Sequence, residues 1–414
     1  MTSSDGHARR VATIGVVASL LLAGCGKDTV IAVSAPGAPV STGTAKPDAA
    51  PPRFDGAVPV VGPLHTQGAK IVDANGNEVR LTGVSWFGLE SGLYEPHGLW
   101  IRKLDSILDQ VAGLGFNSLR IPFSNQLFDA GNTPNSLDPN LNADLVGLDG
   151  FAMLDKVVAG ATARGLSVVL DRHHPDAGAM RSALWYDAQY PEARWISDWT
   201  KLAARYANNP AVVAFDLHND LSDPATWGDG SATTDWRAAA ERAGNAILAV
   251  NPNLLIIVEG IETAGGSSYC SGGNLRAAQD SPVTLSVANR LVYGAQDFPS
   301  SVQGECVVNQ SLYQASNYPN NLPGVWDQTW GYLIEQDVAP VYLVGFGISP
   351  NYPVSDQTWF STIATYIAQH RMSFAYWCLN PAIDSGETGG ILESDWQTAD
   401  PAKMAVLTPL LAPR

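Results

Sequence analysis

Several polar side chains end short apolar runs in this sequence. They are Arg120 in "NSLRIP", Asp171 with His173 and His174 in "LSVVLDRHHPD", His218, Asn219 and Asp220 in "AVVAFDLHND", and Glu259 in "LLIIVEG". Carboxylates beside imidazoles and an amide can move protons, or hold the hydroxyls of a polar ligand. Further runs end in Gln296 and Phe298, in Gly345 and Phe346, and in Trp377 and Cys378. Tryptophan among polar groups suits a ring-shaped ligand, whose apolar face stacks on an indole while its edge takes hydrogen bonds. The 12 Trp and 13 Tyr of the chain exceed what a core needs and point the same way.

Other chemistries fit less well. The run "DRHHPD" brings imidazoles and carboxylates together, but no third ligand at metal-binding spacing accompanies it, so no metal is expected. "GGSSYCSGG" reads as a loop, not as the strand-to-helix turn of a G-x-S-x-G serine hydrolase. A glycine-rich phosphate turn is lacking, and no cofactor is expected. A net charge of -16 argues against nucleic acid as a partner, because phosphate contacts draw on clustered Lys and Arg.

Such residues need a scaffold that gathers many strand ends. From Leu64 onward, apolar strand-like runs alternate with helix-period segments. "WIRKLDSILDQVAGLG", for example, sets Ile101, Leu104, Leu108, Val111 and Leu114 on one helical face. Eight strand and helix units predict a (β/α)8 TIM barrel of the α/β class over residues 61–414, with its chemistry at the C-terminal strand ends. Ahead of the barrel, "LHTQGAKIVDANGNEVRLTGV" predicts a β-hairpin that turns at Asn75-Gly76 and plugs one end.

Residues 1–24 read as a secretory signal, in which Arg9 and Arg10 precede the apolar "VATIGVVASLLLAG", too short to span a bilayer. The following "LLAGC" resembles the bacterial lipobox. That resemblance implies cleavage before Cys25 and lipidation of its thiol, hence an exported protein of the cell envelope that meets the membrane through its lipid anchor only. Residues 25–60, rich in Ala, Pro, Ser, Thr and Gly, read as a disordered tether. In an oxidising setting Cys270 and Cys306, both in loop-like sequence, are the expected disulfide, and Cys378 is expected to be a buried thiol.

Taken in order, "IVDANGNEVRLTGVSWFGLE", "NSLRIPFS", "LDRHHPD", "SALWY", "VVAFDLHN", "DQTW" and "DSGETGGIL" resemble the endo-β-1,4-glucanase branch of glycoside hydrolase family 5, from about Leu64 to about Leu407. The resemblance implies a cleft for a polysaccharide or oligosaccharide, a β-linked glucan. It also implies a retaining mechanism, in which two glutamates about 5 to 5.5 Å apart act as nucleophile and acid/base. It places Arg120, His173, Asn219 and Trp377 among the substrate-binding residues and borders the cleft with Trp86, Trp185 and Trp227, the last equally readable as packing. Tyr186 in the same region reads as packing.

The catalytic positions depart from the family pattern. Asp220, in "NDL" where the family has "NEP", stands at the acid/base position, and Gly345, in "VGFG" where the family has "GEFG", stands at that of the nucleophile. Gln296 and Phe298 replace the histidine and tyrosine that attend that nucleophile. The expectation is a pseudoenzyme that binds β-glucan or a related polysaccharide in the former cleft. The alternative is a weak or altered glycosidase that acts through Asp220. A glycine at 345 predicts a vacant space the size of a carboxylate. Asp171, Glu259 and the loop residue Glu305 are the remaining carboxylates weighed as substitutes. The oligomeric state is left open.

Overall fold

The computed structural model describes residues 62–178, 182–302, 306, 310–382 and 389–412. The signal, Cys25, the tether and Glu305 lie outside the described residues. Eight parallel strands close a barrel in chain order: β1 (Thr82–Ser85), β2 (Ser118–Ser124), β3 (Ser167–His174), β4 (Val212–Asp216), β5 (Leu255–Glu259), β6 (Leu291–Asp297), β7 (Val341–Phe346) and β8 (Ser373–Tyr376). β8 pairs back onto β1, which leaves the barrel without an open edge.

Burial follows the pleat of the strands. Along β7, Tyr342 and Val344 join an inner core with Val169, Val213, Leu255 and Ile257, while Val341, Leu343 and Phe346 belong to the larger core under the helices. The covering helices are α1 (Leu104–Gly113), α2 (Gly150–Ala163), α3 (Glu192–Arg205) and α4 (Trp236–Val250), then α5 (Leu322–Trp326) and α6 (Tyr332–Glu335), joined by a π turn over Asp327–Gly331, then α7 (Val354–Gln369) and α8 (Pro401–Leu407). Asp149 and Asp235 cap α2 and α4 by accepting from the backbone N–H of Ala152 and Ala238. Leu104, Ile107, Leu108 and Val111 form the buried stripe of α1. Ile101 falls before that helix and stays exposed, because the helix begins only after Lys103.

The N-terminal segment pairs His65–Gln67 with Lys70–Val72 across a turn at Gly68-Ala69, and Val72 then bridges antiparallel to Glu78 across the expected turn at Asn75-Gly76. Gly68 takes a left-handed φ of 54°, and its lack of a side chain admits Asp337, whose Oδ1 accepts from Ala69 N–H at 2.7 Å. Asn75-Gly76 forms a second turn, held by Asp73, which accepts from the N–H groups of Asn75 and Asn77. Leu64 and Ile71 complete the inner core, so the hairpin closes that end of the barrel. On the loops after β5 and β6, Cys270 and Cys306 are joined in a disulfide, and Cys378 is buried outside it.

Candidate active site

β2, β3, β4 and β5 contribute charged side chains that converge inside one end of the barrel. Arg120 is their common partner. Its guanidinium lies 3.0 Å from Asp171, 2.8 Å from Asp216 and 3.2 Å from Glu259, and it donates to Asn219 Oδ1 at 3.0 Å. All of these side chains are buried. One cation cannot neutralise three carboxylates in a dry core, so protons are retained there. Burial lifts Asp171 and Asp216 to about 7, against the pull of Arg120. Burial, and then the charge of Asp216, lifts Glu259 well above the ordinary carboxyl range, and Glu259 shares a hydrogen bond with Asp216. Burial alone would lower Arg120, but the three acids outweigh it and hold the guanidinium above its ordinary value. Sequence reasoning passes over Asp216, although a carboxylate inside the apolar "VVAFDLH" was an available signal.

The cluster extends to the mouth through Asp171, which accepts from His173 Nδ1 at 2.7 Å. That bond puts the proton on Nδ1 and leaves His173 Nε2 facing Asn219 Nδ2 at 3.5 Å. The His173 ring lies parallel to that of Trp377, with centroids 5.1 Å apart, and Trp377 in turn lies parallel to Phe87 at 5.7 Å. Together these groups make an aromatic surface edged by hydrogen-bonding groups. His218 turns away, bonded to Arg172 at 2.6 Å and to Ser182 O at 3.1 Å, and burial keeps it neutral.

Arg120, His173, Asn219, Asp220, Gln296 and Trp377 thus form one connected group. Trp86, Trp185 and Trp227 do not join it as open surfaces. Trp86 and Trp185 are buried in the core, their indole N–H groups donating to His97 O at 3.0 Å and Glu192 Oε2 at 2.8 Å. Trp227, barely exposed, donates to Ser281 O at 2.8 Å. Loops that cover a barrel rim need large apolar bodies, and an indole satisfies its single donor while filling that space. Tyr186 is anchored similarly, through its hydroxyl on Thr233 O at 3.0 Å.

A register shift between Ala295 and Gln296 sets Gln296 opposite Gly345 on the neighbouring strand. Gln296 Nε2 donates to Asp220 Oδ1 at 2.7 Å, Glu259 Oε2 at 2.8 Å and Asn219 Oδ1 at 3.1 Å. Its Oε1 would lie only 3.0 Å from a Cβ on Gly345, and Phe298 Cζ 3.5 Å from it. The space expected over Gly345 is therefore not vacant, because the longer amide of the adjacent strand has folded into it. Asp220 holds a left-handed φ of 58°, and its N–H donates to Glu259 Oε2 at 3.3 Å. At 8% exposure, Asp220 is the one carboxyl of these four that reaches solvent. Glu259 is sealed by Gly272, at φ 67°, whose backbone passes too close for any side chain. Asp171 is occupied by Arg120 and His173 and, like Glu259, is shut off from solvent.

Residues 72–383 match the family model described as cellulase, glycosyl hydrolase family 5. An endoglucanase of Paenibacillus polymyxa is 47% identical over 362 residues, covering 86% of this chain and 89% of its own. The major extracellular endoglucanase of Xanthomonas campestris pv. campestris is 40% identical, covering 82% of this chain and 69% of that protein. A solved catalytic domain of the major endoglucanase from the same organism superposes with a TM-score of 0.77 at 38% identity, over 84% of this chain and 99% of the domain. An endocellulase from Pyrococcus horikoshii, solved in complex with cellotetraose, gives 0.77 at 33% identity over 85% and 99%.

Two measurements test this geometry. Gly345→Ala is expected to cost about 1 to 3 kcal/mol in urea unfolding, from overpacking against Gln296, and to cost less in a Gln296→Ala background; equal costs in both would mean the two residues do not touch. The second concerns pH. Glu90, on the loop after β1, accepts from Gly88 N–H at 2.7 Å and is raised by burial to about 8. Above about pH 7 the unfolded histidines and carboxyls have lost their protons, while folded Glu90 and Glu259 still hold theirs. The folded state then binds more protons, so stability falls as pH rises from about 7 to about 9. Thermal unfolding across that range should show the decline, and Glu90→Gln should make it shallower.

Proposed function

The chain belongs to the cellulase family, glycosyl hydrolase family 5, and from that premise we propose that it is a pseudoenzyme, binding a β-glucan or related polysaccharide in the cleft without cleaving it. The observation that carries this reading is the Gln296 amide, which lies against Gly345 and holds Asp220 at 2.7 Å. Retaining hydrolysis needs one carboxylate to attack the anomeric carbon and a second, about 5 to 5.5 Å away, to protonate the leaving oxygen. Among Asp171, Asp216, Asp220 and Glu259, Asp220 is the one carboxyl that reaches solvent, and it is bonded to the uncharged amide of Gln296. The groups suited to holding a sugar remain in place: the Trp377 ring for stacking, with His173 and Asn219 for hydroxyls. The cellotetraose bound by the related endocellulase supports a β-linked gluco-oligosaccharide as ligand class. A lipid on Cys25 would hold this binder at the bacterial cell envelope.

Calorimetry with cello-oligosaccharides, β-glucans and xyloglucan tests the binding, and a sensitive reducing-sugar assay tests the chemistry. Saturable binding without sugar release is expected, with Trp377→Ala weakening affinity about tenfold or more, about 1.4 kcal/mol. Absence of binding to all of these glycans would sink the proposal. Sugar release abolished by Asp220→Ala would establish the altered glycosidase instead. Fatty-acid labelling that persists in Cys25→Ser would remove the anchor from the reading.

A further inference from the structure

A second cluster of chemically capable side chains lies among the helices that follow β6 and β7. Asp327 opens the π turn, Glu335 ends α6, and His370 follows the last residue of α7. The ligand atoms of the three all lie within 4.8 Å of one another, although His370 is separated from the others by the whole of β7 and α7. We propose that Asp327, Glu335 and His370 form a divalent-cation site, suited to Zn2+ or a similar first-row ion.

The donor set supports that class of ion. One imidazole nitrogen and two carboxylate oxygens suit a borderline dication better than Mg2+ or Ca2+, which prefer oxygen alone. Two carboxylates held together repel each other unless something positive stands between them. Among the described residues, neither Asp327 nor Glu335 forms an ion pair with Lys or Arg, and His370 forms none with either of them. A cation would supply the missing charge. Because Asp327 and His370 are half-buried and Glu335 is exposed, water can complete the coordination.

The surroundings orient the ligands. Tyr366, one turn before His370, donates its hydroxyl to Asp327 Oδ1 at 2.7 Å, and its ring lies against the His370 imidazole with centroids 4.1 Å apart. That approach requires the last residue of the π turn to be glycine, since a Cβ on Gly331 would collide with the Tyr366 hydroxyl. A π turn adds a residue to the helix and so redirects the side chains that follow it. One tyrosine thus orients two of the three ligands, in the manner of the outer shell of metal sites. An ion bound here would tie the segment after β6 to the end of α7.

The test uses the full chain after chelator treatment. Zn2+ is titrated by calorimetry and by thermal unfolding, and Co2+ is titrated by visible absorption. One saturable site is expected, with a rise in unfolding temperature on Zn2+ addition, because an ion that binds only the folded state stabilises it. His370→Ala should abolish both effects, and Asp327→Asn should weaken binding at least tenfold. Asn keeps an oxygen for the Tyr366 hydroxyl, so that variant should retain its fold and decides the matter if His370→Ala does not fold. The proposal is overturned if folded wild type shows no saturable uptake at millimolar Zn2+. It is equally overturned if wild type and the folded variants take up the ion alike.

Discussion

The end of the barrel that carries the cleft depends on one buried guanidinium. Arg120 meets Asp171, Asp216 and Glu259 where no water can share the charge. A buried ion cluster of this kind adds little net stability, since desolvation offsets much of the Coulomb attraction, but removing one partner leaves the others uncompensated. Its effect is to fix positions. From Arg120 the contacts run through Asp171 to His173 and on to Trp377, and through Glu259 to the backbone of Asp220. The residues at the mouth of the cleft are therefore placed from within.

Gln296 makes sense in that setting. The cluster already holds more acid than base, and a further carboxylate at position 345 would add repulsion. A glutamine brings an N–H pair for the acceptors of Asp220, Asn219 and Glu259 and adds no charge. The amide therefore improves the hydrogen-bonding of the buried group while standing where the family resemblance implies an attacking group.

Much of the fold was legible in the sequence because barrel strands and helices write their burial into local periodicity. The end-of-strand rule then places Arg120, His173, Asn219 and Trp377 at the C-terminal end of the barrel. Three kinds of information were not legible. Tryptophans near the cleft do not reveal which face they bury, so Trp86, Trp185 and Trp227 read as ligand surfaces although their indoles serve the core. The additional turn at Gly68 depends on Asp337, remote in sequence, whose carboxylate accepts from the N–H of Ala69. The gap at Gly345 was filled by a neighbour whose approach depends on a one-residue register shift.

The sequence by itself determined the barrel, its chain order and the residue types at each strand end, because these follow from local patterns of apolar and polar residues. It also determined that position 345 carries no side chain. Only the tertiary structure decided what occupies that position, which acids keep their protons, and that Asp327, Glu335 and His370 meet. Those outcomes depend on distances between strands and helices far apart in the chain, and on burial that sets the cost of each charge, neither of which a local pattern encodes.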